Sequence, residues 1–211
     1  MEAHEIAEQI HEDSEPDANA TPSHDWFRRL TAIYVGIIAM LLAIATLGGA
    51  DATKEMLNAN IHASDTYAFY QSKTIRQVNY QIAAEELELF NAGAAGMSPE
   101  NSARAAELVK RYRETAARYE SEPPKEPGKA GEGRKELLAT AHQWEAKRDH
   151  AAAQSPNFEY AEALLQIAIV LGSVAIVAAS PALLGVSGVL AVSGVLLTLN
   201  GYLLLVPFGR E

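Results

Sequence analysis

Apolar and polar positions divide this chain into three long apolar blocks and one long polar insert. The first block runs from Leu30 to Ala50 without a charge. As a helix it extends about 31 Å, enough to cross a hydrocarbon core of about 30 Å. Trp26 and Phe27 precede it at the level of an aromatic belt, with Arg28 and Arg29 at its mouth. The second block, Leu164–Ala179, follows Ser155-Pro156, which reads as an N-cap and first helical residue. Ser180-Pro181 breaks the pattern, because proline disfavours helix at the residue before it and pre-sets the next helix start. The third block, Leu183–Val206, stops at Pro207. The pattern predicts transmembrane helices over 26–50, 156–180 and 181–207, the last two as a tight antiparallel hairpin.

The insert, residues 51–155, reads as helix throughout. Residues 51–90 lack proline and glycine, so one helix is expected to continue out of the first span. Leu57, Ile61, Ser64, Ala68, Gln71, Ile75, Val78, Ile82, Glu85 and Leu89 repeat at 4-3 spacing, a heptad-like seam interrupted by polar residues. Asn91–Gly96 ends it, and Ser98-Pro99-Glu100 starts a second helix reaching about Ser121. Residues 121–133, rich in proline, glycine and charge, read as a linker or exposed hairpin tip. A third helix is expected over about Arg134–Ala153. The fold class is therefore an all-α membrane protein: three transmembrane helices plus an extramembrane helical hairpin or three-helix, partly coiled-coil domain.

Charge sharpens this picture. The formal net charge is −10, and residues 1–29 alone hold eight acidic and two basic side chains. Residues 1–25 thus read as an acidic disordered tail. This balance opposes nucleic-acid binding, which needs positive patches. The three blocks contain no Asp, Glu, Lys, Arg or His, whereas pumps and transporters place ionisable groups at membrane depth. With no cysteine, thiolate catalysis and cysteine-based metal sites are excluded. His4, Glu8 and His11 would share a helical face, but they lack a zinc-motif spacing and read as part of a solvated tail. Glu85, Glu86 and Glu88, like Lys110, Arg111 and Arg113, read as solvated faces. No catalytic, cofactor-binding or metal site is expected, and no enzymatic activity.

Small residues recur at helical spacing in each block: Ala32, Gly36, Ala39, Ala43, Thr46 and Ala50; Ala168, Gly172, Ala175 and Ala179; Ser187, Ala191, Gly194, Thr198 and Gly201. Such stripes let helix backbones approach closely in lipid. They are the expected helix-packing interface, with the amide of Asn200 bonding across helices.

The segment Ala63–Arg76, ASDTYAFYQSKTIR, carries a resemblance to a known family. With its two-arginine first span and two terminal spans, the chain resembles the bacterial membrane family catalogued as domain of unknown function 4337. Members share an ASD-x-x-A-x-Y-Q-x-K segment, matched here by Ala63, Ser64, Asp65, Ala68, Tyr70, Gln71 and Lys73. The neutral Ser180-Pro181 turn departs from related chains, which often place basic residues there. The resemblance implies the three-span layout and no particular activity. On a helix Asp65, Tyr67, Tyr70, Gln71 and Lys73 spread around the surface. They suit contacts with neighbouring helices or a partner better than one pocket.

The expected function is that of an integral membrane interaction or scaffold protein, self-assembling or an accessory subunit of a larger membrane complex. The alternative is an oligomeric channel or transporter component. Expected partners are the lipid bilayer, the protein itself and subunits of a membrane complex. Arg28 and Arg29 put the N-terminus in the cytoplasm of a bacterial inner membrane, with residues 51–155 periplasmic.

Overall fold

A computed structural model describes residues 22–93, 96, 98–124 and 131–206. Among them are four α-helices and no strand: α1 (Pro22–Gly93), α2 (Pro99–Glu120), α3 (Arg134–Ala178) and α4 (Pro181–Leu203). Residues 1–21 of the acidic tail, with His4, Glu8 and His11, lie outside the described residues, whereas its last four, 22–25, expected to be disordered, begin α1.

The apolar first block and the polar stretch after it form one helix, α1, because nothing in residues 51–90 breaks it. Ser98 caps α2 as expected, its hydroxyl accepting from the Asn101 amide at 3.3 Å, with Pro99 in the first turn. The expected start of a new helix at Ser155-Pro156 is not found. Pro156 lies inside α3, which runs unbroken from Arg134. A proline removes a single amide donor, and strong helix formers lie on either side at Ala151–Gln154 and Ala161–Leu165. The Ser180-Pro181 break is present. Ala179 adopts a left-handed conformation (φ 46°), and the Ser180 amide returns to the Ala175 carbonyl at 3.2 Å, closing α3. Leu204, also left-handed, closes α4.

The described residues form two compact units. The first comprises those up to Asp51 and from Ala153 onward; the second is Ala52–Ala152.

In the first unit, α1, α3 and α4 pack pairwise around Ile38, Ala45, Ala161, Leu165, Ala168 and Ala191. Small residues set the spacing. A Cβ on Gly172 would lie 2.8 Å from Val35, one on Gly194 2.8 Å from Leu165, and one on Gly201 2.8 Å from Phe158. Gly48 leaves room for the same ring, at 2.6 Å. Phe158 is therefore seated between two helices that each offer a glycine, with Tyr202 edge-on at 4.9 Å.

The second unit has a core of small residues: Ala52, Ala59, Ala63 and Ala84 of α1 against Ala105, Val109 and Ala116 of α2 and Leu137, Ala141 and Ala151 of α3. Rings add to it: Tyr80 packs on Tyr112 and Tyr119, and His62 stacks on Trp144 at 4.5 Å.

The seam of α1 inside this unit differs from the one its apolar residues suggested. Ala52, Met56, Ala59, Ala63, Thr66, Tyr70, Lys73, Gln77, Tyr80, Ala84, Leu87 and Asn91, also spaced 4-3, are buried or half-buried. The Leu57–Leu89 seam is exposed at every position. Alanine allows closer helix contact than isoleucine, and the tyrosines of this line add ring contacts, so the chain packs these residues inward and leaves its branched ones outside.

Candidate functional site

The densest polar cluster among the described residues lies in the second unit, where α1 meets the end of α2 and the start of α3. Lys73 and Gln77, one turn apart on α1, are both buried. The Lys73 ammonium sits 3.8 Å from Glu122 and 3.7 Å from Glu132, and 5.3 Å from the ring centres of both Phe69 and Tyr119. Two carboxylates and two aromatic faces thus compensate for its lost hydration.

Arg134, the first residue of α3, joins the three helices. One terminal nitrogen donates to Glu120 at 2.9 Å and to the Gln77 amide oxygen. The other donates to the Tyr70 hydroxyl at 3.0 Å, and the guanidinium lies 5.2 Å from the Tyr70 ring centre. The planar fork of arginine fits this divergent set as a lysine would not. Gln77 in turn donates to Glu120 at 3.0 Å. That amide, then the nearby Arg134 and Lys135 cations, holds the Glu120 carboxyl below the usual carboxylate range.

The stretch read as a linker belongs to this cluster at both of its described ends. The Glu132 amide donates to the Glu122 carbonyl at 3.0 Å. The Glu136 carboxylate accepts from the Ser121 hydroxyl at 2.6 Å and the Glu122 amide at 3.2 Å. These bonds, the hydroxyl's foremost, lower the Glu136 pKa. Gly131 and Gly133 are buried, and a Cβ on Gly133 would come within 2.6 Å of Ser121 and Glu122 backbone. Glycine is required there for close approach.

The family segment therefore divides. Ala63, Tyr70 and Lys73 face the other helices of the unit, whereas Asp65 and Gln71 are exposed. Tyr67 is half-buried; burial, then the neighbouring Glu145 carboxylate, raises its pKa. Gln77 and Arg134 join the cluster from outside the segment, and the one-turn spacing of Gln77 from Lys73 is the sequence signal that could have found the first.

In the first unit, Gly172, Ala175, Ser187, Gly194 and Gly201 are buried. Ser187 donates to the Ala168 carbonyl at 2.6 Å and shares a bond with the Tyr34 hydroxyl at 3.0 Å. Asn200 bonds across helices to Asn157 at 2.7 Å, and its amide also exchanges two bonds with the Val206 backbone at 2.9 Å. Gly36, Ala39 and Ala43 are exposed, and a Cβ on Gly36 would meet nothing within 4 Å. The inward positions of α1 are instead Thr31, Ile38, Ala45 and Gly48. An alanine-rich helix offers more than one small stripe, and spacing alone does not rank them.

An open groove of about 480 Å³ lies between α1 and α2, lined by Ala83, Glu86, Leu87, Phe90, Leu108 and Tyr112. Among the described residues no three His, Asp or Glu side chains are placed to hold a metal ion. The charges of the Lys73–Arg134 cluster are spent on one another. Chemically it acts as a clamp on three helix segments.

A family model described as Domain of unknown function (DUF4337) matches residues 27–204. No curated protein and no solved structure matches the chain. Three helices, α1, α3 and α4, are long and apolar enough to cross a membrane, which is compatible with a multi-pass membrane protein.

Proposed function

The chain belongs to the DUF4337 family, and from that premise we propose that it is an integral membrane scaffold, self-assembling or serving as an accessory subunit of a larger complex. One observation carries the membrane reading. The first unit is inverted relative to a water-soluble bundle. Its interior holds Thr31, Asn157, Ser187 and Thr198 among alanines, Ile38, Leu165 and Phe158, while Ile33, Met40, Leu47, Val170, Val177, Val189 and Leu196 face outward. Water would penalise that surface and lipid would not. The interior polar groups support a scaffold rather than a transporter, because they are bonded within the bundle and none is ionisable. Arg28 and Arg29 support a cytoplasmic N-terminus at a bacterial inner membrane, with residues 51–155 periplasmic.

Alkaline carbonate extraction of membranes tests the reading. The protein is expected to stay in the pellet; release into the supernatant overturns insertion. Native mass spectrometry from mild detergent then tests assembly. Integer multiples of 22.7 kDa, or reproducible companion subunits, support the scaffold reading, and a lone monomer overturns it.

A further inference from the structure

The second unit leaves an ordered apolar face uncovered. Leu57, Ile61, Ile75 and Ile82 are 53, 56, 62 and 47% exposed, and Val78 and Leu89 lie on the same line. The intervening seam positions, Ser64, Ala68, Gln71 and Glu85, are exposed as well. A soluble helix normally turns charge to solvent. Here Leu57–Ile82 carries only Asp65, Lys73 and Arg76 as ionised groups, and Lys73 points inward. Beside the seam stand uncharged Asn58, Asn60, Asn79 and Gln81. By contrast α2, of 22 residues, carries nine charges. Depletion of charge around exposed aliphatic residues is the composition of an interface core.

We propose that this face of α1 pairs with the same face of a second copy of the chain as a parallel, in-register two-stranded coiled coil. Three features select a second copy. The face repeats every seven residues, the period that lets one helix pack along its twin without drifting off the contact line. Isoleucine occupies the a positions Ile61, Ile75 and Ile82, a choice that favours two strands, and Ser64 and Gln71 at d fix the register. The area also suffices. Leu57–Leu89 offers about 50 Å of helix about 11 Å wide, roughly 550 Å² per copy. Two copies together bury roughly 1,100 Å², past the ~1,000 Å² in total that a specific interface needs. The parallel alignment rests on the membrane reading above, since two copies inserted alike present α1 in the same direction.

The chain has no cysteine, so single introduced cysteines report cleanly. In native membranes under mild oxidation, Ile61→Cys, Ile75→Cys and Ile82→Cys are each expected to give a disulfide-linked dimer. The exposed off-seam variants Arg76→Cys and Arg111→Cys should react at least ~10-fold more slowly, because the bond needs Cα atoms within about 7 Å. Equal rates at all five sites, self-linking at only one seam position, or a product of another mass overturns the proposal. Carbonate extraction of the same samples separates the two readings. Extractable protein that still links at all three seam sites leaves the pairing standing and removes the membrane; pelleted protein without the pattern does the reverse. The double variant Ile75→Glu with Ile82→Glu is expected to keep its helical circular dichroism and shift from two copies to one in native mass spectrometry. Lost helicity would place this face inside the fold, and an unchanged dimer would place the contact elsewhere; either overturns the proposal.

Discussion

Glycines 36 and 194 are the same residue type in equally apolar helices, yet their surroundings differ. A Cβ on Gly194 would press against Leu165 and the Ala161 carbonyl; one on Gly36 would meet nothing. Gly194→Leu is therefore expected to destabilise the first unit by about 1–3 kcal/mol, the usual cost of overpacking. Gly36→Leu should leave monomer stability within about 0.5 kcal/mol. Thermal unfolding in detergent, followed by circular dichroism, distinguishes them. Equal effects would mean that α4 does not pack on α3 at Gly194 or that Gly36 does not face outward, as described. In the second unit, Lys73→Met is expected to cost about 2 kcal/mol, because it leaves the half-buried Glu122 without that cation. Chemical denaturation reads the loss as a lower midpoint.

At the scale of elements, helix content and most boundaries were legible in the sequence. Ser98-Pro99 and Ser180-Pro181 announce their helix starts by chemistry that acts within four residues. Pro156 misled because a long helix with enough packing tolerates one missing hydrogen bond. The two faces of α1 were only half legible. Both repeat every seven residues, and hydropathy favours the isoleucine line, while the fold uses the alanine–tyrosine line because close packing rewards fit over apolar bulk. Arg134 was invisible as a partner of Tyr70 and Gln77, since no local pattern links positions so far apart in the chain. The close of α3 yields a prediction of its own. Ala179 is left-handed, which costs a residue bearing a Cβ about 1 kcal/mol. Ala179→Gly should raise stability by up to that amount, and an unchanged or lower melting temperature would argue against the left-handed turn. The clamp yields another. Glu120 and Glu136 bind protons more weakly folded than unfolded. Their contribution is thus present above the ordinary carboxylate range and lost as pH falls through their lowered values. Stability of the second unit should hold from about pH 7 to 5 and decline below about pH 4, near the unfolded carboxylate values. Glu120→Gln should flatten part of that decline, as amide-exchange protection of residues 52–152 would report.

For the whole molecule, the inward and outward faces of α1 divide the work. The inward face folds the chain through small residues, a charge clamp and stacked rings. The outward face adds nothing to that folding. Between Leu57 and Leu89 its seam contains one charged position. Glu85 occupies a d position and is exposed. In a parallel, in-register pair it faces its own twin, and like charges across such an axis repel. Pairing is then strongest over Leu57–Ile82 and weakens toward Leu89. Replacing the carboxylate should extend the pair by a heptad. Glu85→Leu is expected to lower the dimer dissociation constant roughly 10-fold, about 1.4 kcal/mol. Glu85→Gln, which removes the repulsion without adding apolar contact, should produce a smaller gain. Because Glu85 points away from α2 and α3, neither change should alter the stability of the dissociated monomer. Fluorescence exchange between labelled copies in detergent measures the constant. A Glu85→Leu protein that pairs no more tightly would move the axis of assembly off this seam, even if the protein remains a dimer.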